Sequence, residues 1–282
     1  MTSLLSVEKL NKTFKDSTFK INNVSFEVCE GEIVALIGKN GSGKSTLIRL
    51  IVGDYPIDQG KLEFFGETVN EHQTAYKNDI SVVFDALNFP KKFTVKTIDK
   101  IFNQLYTNWN STAFFEWIKV FDLPMKQKVK YFSRGMTMKI SIAAALSHQS
   151  RLLILDEATA GLDAASRDEI HEELEKFVQD EKRAILMTSH IAEDINRLAT
   201  RLIFIKNGEV LLQIAKKELF ESFGILGCDE KQFSTLDKES ILAYREHLGQ
   251  FEVIVKKGAL ENISSITSVD EVNKIILRGV SS

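Results

Sequence analysis

The chain has 282 residues and a formal net charge of −3, with 44% apolar and 27% charged residues. This composition is ordinary for a globular protein, and the length fits one large α/β domain with a small appendage, or two modest domains. The slight acidic excess argues against a nucleic-acid binder that depends on phosphate neutralisation, and the lack of about eighteen consecutive apolar residues argues against a membrane-spanning helix.

Two smaller features bear on the cellular compartment. The two cysteines, Cys29 and Cys228, lie far apart without metal-ligand spacing, which is typical of a reducing compartment. The opening letters, MTSLLSVEKLNKTF, lack the basic and then apolar pattern of a secretory signal. If the protein works at a membrane, we therefore expect it to do so from the surface, through another subunit.

The first element with chemical meaning is a strand, a glycine-rich loop and a helix in succession. The apolar run Ile33–Ile37 predicts a buried strand, and the letters GKNGSGKS follow at residues 38–45. This is the spacing G-x-x-x-x-G-K-[ST] of a phosphate-binding P-loop. Glycines let backbone N–H groups converge on phosphate oxygens, Lys44 can reach the β- and γ-phosphates, and Ser45 can bind Mg²⁺. The full match in this context makes a chance turn a poor explanation.

The middle of the chain has the apolar spacing of helices. Between residues 93 and 123, apolar residues recur three and four positions apart, as at Val95, Ile98 and Phe102. This spacing predicts helices within residues 93–123.

The letters FSRGMTMKIS at residues 132–141 predict the start of a helix. Ser133 is a good N-cap, Gly135 permits close backbone approach, and a run of small and apolar residues follows. These residue types therefore predict a capped helix start at Ser133.

Two further apolar runs end in polar residues that suit hydrolysis. Residues 152–155 predict a buried parallel strand that ends in Asp156 and Glu157, and residues 184–187 predict another that ends just before His190. Because open α/β sheets bind ligands at the carboxyl ends of their strands, we expect these side chains beside the P-loop. Asp156 would then serve Mg²⁺, Glu157 would polarise the attacking water, and His190 would lie near the γ-phosphate.

The last third of the chain departs from this pattern. Lys206, Asn207 and Gly208 between apolar runs predict a hairpin turn. From about Lys216 the sequence is that of a small α+β region with nearly balanced charge and no candidate site. We therefore predict a main domain over residues 1–215 and a dimer-supporting or regulatory region over residues 216–282.

Together, these motifs resemble the ATP-binding subunit of ABC transporters over about the first three-quarters of the chain. Residues 38–46 resemble its Walker A motif, Asp156 and Glu157 the end of Walker B, and residues 160–163 the D-loop. Residues 132–136 resemble the signature loop LSGGQ, and His190 resembles the switch histidine. The resemblance implies a P-loop NTPase α/β fold with a RecA-like core, an antiparallel β subdomain and a helical subdomain inserted at about residues 88–148. Phe89 and Phe93 either line the groove of this subdomain that receives a membrane subunit or belong to its core.

The resemblance also implies roles for single residues. It implies nucleotide binding at Phe14, Gly38, Asn40, Gly41, Ser42, Gly43, Lys44, Ser45, Thr46, Ser133 and Gly135. It implies Mg²⁺ binding at Ser45, Asp85 and Asp156, and catalysis at Asp85, Glu157 and His190. Phe14 would stack on adenine, although Phe19 and Phe26 lie nearby and any of the three could belong to the core.

Four positions differ from the family pattern. Asp85 stands where a glutamine that contacts Mg²⁺ or the lytic water is usual, and Ala158 where a proline is common. In the signature stretch, Arg134 replaces a glycine and Met136 a glutamine. Asp85 can still bind Mg²⁺ or orient water, but it brings charge beside phosphates. Arg134 either adds positive charge near the phosphates or is a solvated side chain, and with Met136 it resembles a bacterial export-type subgroup.

The resemblance implies an enzyme that hydrolyses ATP with Mg²⁺ and powers export of peptides or drugs through a separate integral membrane permease. It implies two ATP molecules between the subunits of a homodimer or heterodimer, at the cytoplasmic face of the membrane and without nucleic acid. Two alternatives stay open: a poorly hydrolysing partner in a heterodimer, and a soluble ABC-type ATPase that acts on ribosomes or DNA. The single P-loop and the lack of a long heptad run disfavour the second alternative.

Overall fold

The computed structural model describes residues 2–69, 75–85, 89–180, 182–258, 263–277 and 280–281. Two compact units divide the chain, and each is built from separated stretches. The first unit comprises Met1–Val7, Phe26–Ile33 and Lys61–Ser189, and the second comprises Glu8–Ser25, Val34–Gly60 and His190–Ser282. The boundary at residue 216 that the sequence predicts divides the chain differently, and it stays a prediction.

Strands and helices alternate along much of the chain. The strands are β1 (Ser3–Thr13), β2 (Lys20–Cys29), β3 (Ile33–Ile37), β4 (Gln59–Phe64), β5 (Glu67–Thr68), β6 (Ile80–Val83), β7 (Leu152–Asp156), β8 (Ala184–Thr188), β9 (Arg201–Lys206), β10 (Glu209–Ala215), β11 (Phe223–Asp229), β12 (Ile241–His247), β13 (Gln250–Lys256), β14 (Ser264–Ser265) and β15 (Val280–Ser281). The helices are α1 (Lys44–Ile51), α2 (Val95–Leu105), α3 (Ser111–Val120), α4 (Arg134–Ser147), α5 (Ala164–Gln179), α6 (Ala192–Leu198), α7 (Lys216–Ser222), α8 (Glu230–Thr235) and α9 (Val269–Ile276). In the described part of the chain, no helix has both the length and the apolar character needed to cross a membrane.

The first unit contains a parallel ladder of β6, β7 and β8. Leu152 of β7 pairs with Ile80 of β6 and with Ala184 of β8, and every residue of β7 and β8 is buried. Strands buried on both faces need apolar side chains along most of their length, which explains the continuous apolar runs in the sequence. The register sets Asp156, the last residue of β7, opposite Thr188, the last residue of β8.

The predicted helical segment consists of α2, α3 and α4, which also belong to the first unit. Thr94, Asn110 and Ser133 cap these helices, each by accepting a hydrogen bond from the backbone N–H three residues on. Phe89 is buried, and its ring lies 5.9 Å from that of Phe102 in α2, so Phe89 belongs to the core of this segment. The expected start of the segment near residue 88 lies outside the described residues.

The second unit contains the parallel pair β3 and β9 and the antiparallel pair β9 and β10. Ile37, the last residue of β3, pairs with Phe204 of β9. The predicted hairpin turn joins β9 to β10, and Asn207 and Gly208 have φ angles of 53° and 78°. Two positive φ angles in succession are the backbone of a type I′ turn, which favours asparagine followed by glycine.

The residues from Lys216 onward form an α+β region within the second unit, as the sequence predicts. Its strands pair antiparallel in the order β14-β11-β13-β12-β15. The buried face of α9 includes Val272 and Ile276, and the backbone N–H of Val269 donates to Asn196 Oδ1 of α6 at 2.9 Å. The C-terminal region is therefore held against α6 inside this unit.

Candidate active site

The predicted site residues lie in both compact units. The second unit contains Phe14, Gly38, Asn40, Gly41, Ser42, Gly43, Lys44, Ser45, Thr46 and His190. The first unit contains Asp85, Ser133, Gly135, Asp156 and Glu157. Each group has internal contacts that bear on its predicted role.

The P-loop connects β3 to α1 in the second unit, and its backbone requires a glycine both after β3 and before α1. Gly43 precedes α1 with a φ of 110°, a conformation that residues with a Cβ rarely adopt. A Cβ at Gly38 would collide with the Ser42 hydroxyl and lie 2.5 Å from the carbonyl oxygen of Ile205. The glycines of the motif therefore have a direct steric cause in this chain.

The interior of the P-loop suits an anion. Lys44 is 5% exposed, and its Nζ donates to the carbonyl oxygens of Gly38 at 2.8 Å and Lys39 at 3.3 Å. The Ser42 hydroxyl is buried without a hydrogen-bond partner among the described residues. A buried ammonium group, an available hydroxyl and the N-terminus of α1 are the groups that bind phosphate oxygens. The loop therefore fits the phosphates of a nucleotide.

Phe14 lies beside the P-loop in a pocket of about 390 Å³. The pocket is lined by Phe14, Lys15, Asp16, Ser17, Phe19, Thr46 and Tyr55. The ring of Phe14 lies 6.3 Å from that of Phe19 and meets the ring of Tyr55 edge-on at 5.8 Å. Phe26 is 4% exposed and belongs to the core. An aromatic pocket next to Thr46 suits a flat base, and Tyr55 is a lining residue that the sequence analysis missed.

Residues of the P-loop and one residue of the C-terminal region line a second pocket, of about 160 Å³. It is lined by Lys39, Asn40, Gly41, Ser42, Ile205, Lys206, Asn207 and Leu277. Leu277 follows α9 and is 7% exposed. The sequence assigned no site to this region, and the local pattern around Leu277 has no feature that could have indicated the contact.

In the first unit, Thr188 joins Asp156 to the backbone of Glu157. The Thr188 hydroxyl donates to Asp156 Oδ1 at 2.8 Å and accepts from the Glu157 N–H at 3.0 Å. Glu157 has a positive φ of 52°, which costs a non-glycine residue energy and is typical of functional sites. The bond to the Glu157 N–H and the positive φ together set the direction in which the Glu157 side chain leaves the strand. Sequence reasoning missed Thr188, although its place at the end of the neighbouring strand was a usable signal.

The signature stretch forms the start of α4 in the first unit. The Ser133 hydroxyl accepts from the Met136 N–H at 3.2 Å, and Ser133 is exposed. A Cβ at Gly135 would lie 3.4 Å from the carbonyl oxygen of Gly161, so this turn of the helix lies close to the loop before α5. The helix starts where the sequence predicts, with its cap accessible to another molecule.

Asp85 and Arg134, two of the residues that differ from the family pattern, contact each other. Arg134 Nη2 donates to Asp85 Oδ1 at 2.6 Å. The two side chains are 61% and 42% exposed, respectively. Arg134 is therefore solvated, as one interpretation of the sequence held, but it is also paired.

The loop at residues 160–163 leads into α5, and its last residue caps that helix. Asp163 accepts from the Ser166 N–H at 2.9 Å and from the Ser166 hydroxyl at 2.8 Å. The Ser166 N–H holds the pKa of the Asp163 carboxyl below its ordinary value. Gly161 has a φ of 83°, which explains a glycine at this position.

The remaining predicted residues concern the γ-phosphate and Mg²⁺. His190 follows β8 by two positions and is exposed. Within the described ranges, no group of three or more His, Cys, Asp or Glu side chains could hold a metal ion. Ser45, Asp85 and Asp156 offer oxygen atoms, the donor type that Mg²⁺ prefers, and Mg²⁺ commonly uses few protein ligands together with substrate phosphates.

Comparison with known proteins identifies relatives of this chain. The family model described as ABC transporter matches residues 21–160. The Nod factor export ATP-binding protein I of Ralstonia nicotianae (strain ATCC BAA-1114 / GMI1000) is 32% identical over 233 residues, which cover 81% of this chain and 71% of the relative. The linearmycin resistance ATP-binding protein LnrL of Bacillus subtilis (strain 168) is 30% identical over 226 residues, which cover 78% of this chain and 72% of the relative.

A solved structure has the same fold. It is the dimeric structure of a post-hydrolysis state of the ATP-binding cassette MJ0796 bound to ADP and Pi. It matches with a TM-score of 0.67 and 22% identity, and the match covers 75% of this chain and 98% of that chain. The fold class that the sequence predicts is therefore confirmed.

Proposed function

This chain is an ATP-hydrolysing member of the ABC transporter family, and on that basis we propose that it powers export through a separate membrane permease. Two relatives support the direction, because their names refer to Nod factor export and to linearmycin resistance. Arg134 and Met136 support it as well, since these signature residues resemble those of Gram-positive exporters of peptides and drugs, the exporter of staphylococcal phenol-soluble modulins among them. We therefore propose peptides or drugs as cargo, and the cytoplasmic face of the membrane as the place of work.

The observation that carries the proposed hydrolysis is the arrangement of Asp156, Thr188 and Glu157. The Thr188 hydroxyl donates to the Asp156 carboxylate and accepts from the backbone N–H of Glu157, the next residue, so two acidic residues follow one another at the end of a buried strand. One carboxylate is then available for Mg²⁺ and the other for the attacking water. Glu157 also has a positive φ of 52°, which directs its side chain differently from that of an extended strand residue.

The proposed roles at the phosphates follow from the chemistry of each group. Lys44 and the backbone N–H groups at residues 38–46 bind the phosphates, and Phe14 stacks on the base. Ser45 and Asp156 bind Mg²⁺, which when bound neutralises charge on the phosphate oxygens. Asp85 also contributes to Mg²⁺ binding, with its second carboxylate oxygen, because its Oδ1 accepts a hydrogen bond from Arg134.

The proposed catalytic and dimer roles complete the site. Glu157 polarises the attacking water, and His190 contacts the γ-phosphate. Ser133 and Gly135 serve the nucleotide of a second subunit, in a homodimer or in a heterodimer with a second ATPase chain. The dimeric state of the MJ0796 structure supports this proposal, as does the exposure of Ser133.

The Glu157→Gln variant tests the proposed hydrolysis. The amide keeps the size of the side chain but cannot accept a proton, so we expect kcat for ATP hydrolysis to fall roughly 10²–10⁴-fold, with nucleotide binding retained. Phosphate release by the purified chain, alone and with its permease, measures the rate. Glu169→Gln, which changes an exposed carboxylate on α5, is the matched control and should keep the parent rate. A Glu157→Gln rate equal to that of the parent would remove Glu157 from the proposed role.

A poorly hydrolysing partner in a heterodimer is the second candidate function. Asp85 and the signature residues Arg134 and Met136 differ from the family pattern and favour this alternative, whereas Glu157 and His190 count against it. It predicts that the chain alone binds ATP but hydrolyses it no faster than its Glu157→Gln variant, and that activity appears when an active paralogue is added. Activity of the chain alone that depends on Glu157 would exclude it.

A further inference from the structure

Arg134 contacts two other loops of the first unit, and we infer that Arg134 and Asp85 act as one positioning pair that fixes the start of α4. The pair is separated by 49 positions in sequence, and its atoms Nη2 and Oδ1 are 2.6 Å apart. It ties the first residue of α4 to the loop that follows β6. A contact at this distance between charged groups is a charge-assisted hydrogen bond.

The stem of Arg134 lies on a third loop, the one before α5. A Cβ added at Gly161 would lie 3.2 Å from Arg134 Cδ and 3.4 Å from Nε. The neighbouring residue, Gly135, lies close to the same glycine, since a Cβ there would be 3.4 Å from the Gly161 carbonyl oxygen. Gly161 itself has a φ of 83°, so a side chain at this position would be strained as well as crowded. One arginine therefore contacts the loop after β6 with its head and the loop before α5 with its stem.

Each charge of the pair would be unfavourable alone. A cation in the first turn of a helix opposes the positive end of the helix dipole, and Arg134 is the first residue of α4. A carboxylate in a nucleotide site repels phosphates, and Asp85 stands where the family pattern has an uncharged glutamine. Paired with each other, the two charges cancel locally.

A pocket beside the ion pair explains why the pair affects the position of α4 relative to Asp85. A pocket of about 220 Å³ adjoins it, lined by Phe84, Asp85, Phe132, Arg134, Thr137, Met138 and Ser141. Where a pocket separates two elements, close packing does not hold one against the other. The ion pair spans one side of this pocket and limits how far Asp85 moves from α4. Arg134 thereby positions Ser133, its neighbour in the chain, and it does so without contacting nucleotide.

A double-mutant cycle on the ATPase rate tests the inference, which rests on the proposed hydrolysis at Glu157. The variants are Asp85→Asn, Arg134→Gln and both together, in the full chain. We expect each single change to lower kcat roughly three- to tenfold with little change in KM for ATP, and the double variant to be no slower than the slower single one. Arg134→Lys should recover part of the rate, since it keeps the charge but loses the planar fork. Higher ionic strength should lower the parent rate more than that of the double variant, because both side chains are exposed.

The control is another exposed ion pair at the same distance, Glu173 to Lys176 on α5 at 2.6 Å. Lys176→Gln should leave kcat unchanged. Three outcomes would overturn the inference: single effects that multiply in the double variant, a raised KM at unchanged kcat in Arg134→Gln, or unchanged kcat in both single variants. The first would mean that Asp85 and Arg134 act independently, and the second that Arg134 binds phosphate. Failure of the proposed hydrolysis would look different, as a parent rate that does not depend on Glu157.

Discussion

The P-loop and the start of α4 each present a helix N-terminus, but different kinds of contact determine their geometry. At the P-loop, Gly43 precedes the helix and offers no side-chain cap, and Lys44 is 5% exposed with its Nζ on loop carbonyl oxygens. At the start of α4, Ser133 caps the helix with its hydroxyl, and the Arg134 side chain is 61% exposed. Backbone contacts around a buried lysine shape the first helix start, while exposed side chains shape the second.

The two loops therefore differ in the contacts that determine their geometry. The P-loop takes it from tight backbone contacts, which leave no room for a Cβ at Gly38. The start of α4 takes it from side-chain contacts with other loops, through Asp85 and Gly161. We therefore expect substitutions in the P-loop to damage the fold itself. We expect substitutions at the start of α4 to change activity while the fold is largely kept.

The largest effect on stability is expected for Gly38→Ala, compared with Gly135→Ala. The alanine Cβ at residue 38 would collide with Ser42 and with a carbonyl oxygen, so the free energy of unfolding should fall by roughly 1–3 kcal/mol. At residue 135 the Cβ meets one oxygen at 3.4 Å, and alanine favours a helix, so the change should stay within about 0.5 kcal/mol. Denaturant unfolding of both variants measures the difference. Equal losses would show that the two loops do not differ in this way.

A smaller effect is expected at the helix cap. Ser133→Ala removes the acceptor for the Met136 N–H and should lower the free energy of unfolding by about 1 kcal/mol. Ser133→Asp keeps an acceptor at the cap and places a negative charge at the helix start, so stability should be retained. The same charge would face the phosphates of a second subunit, so the ATPase rate of Ser133→Asp should fall. Asn110→Ala, which removes the cap of α3, is the control for lost stability without that added charge. Full activity in Ser133→Asp would contradict the proposed role of Ser133.

Much of the fold and of the site was predictable, because the signals are local. The P-loop, the strand that ends at Asp156 and the turn at Asn207 each occupy one short stretch whose residue types directly determine the backbone. The helix start at Ser133 was predictable for the same reason, since a cap needs one serine and a free N–H. Proximity of the two groups of site residues was expected from the rules of α/β sheets, and it stays a prediction.

What the sequence could not predict depends on residues that are far apart along the chain. The contact of Arg134 with Asp85 spans 49 positions and depends on where one flexible side chain points. Tyr55 and Leu277 line pockets beside the P-loop because of tertiary packing, and no local periodicity indicates this. The order of the C-terminal strands was also out of reach, because antiparallel pairing in short strands depends on long-range register.

We expect the stability at the C-terminal end of α4 to depend on pH, whereas we expect the ion pair at its N-terminal end to depend on salt. His148 caps this end, is 3% exposed and lies with Nδ1 2.9 Å from the Ser81 hydroxyl oxygen. That hydroxyl donates to the Ala145 carbonyl oxygen, so Nδ1 is the donor to Ser81, and Nε2 has no partner among the described residues. Burial lowers the pKa of His148 below 6.5, and the negative charge of Asp79 offsets part of this shift.

The unfolded chain therefore takes up this proton before the folded chain does. The contribution of His148 to stability is complete above about pH 6.5 and is lost as the pH falls from there through the lower pKa of the folded state. We expect the free energy of unfolding to fall as the pH is lowered through about 6.5, and to fall less in His148→Asn, whose amide can still donate to Ser81. Comparing the two proteins removes the effect of the groups that they share. Equal drops in the parent and in His148→Asn would show that the folded protein does not keep the His148 ring neutral. The two ends of α4 would then not differ in their dependence on pH.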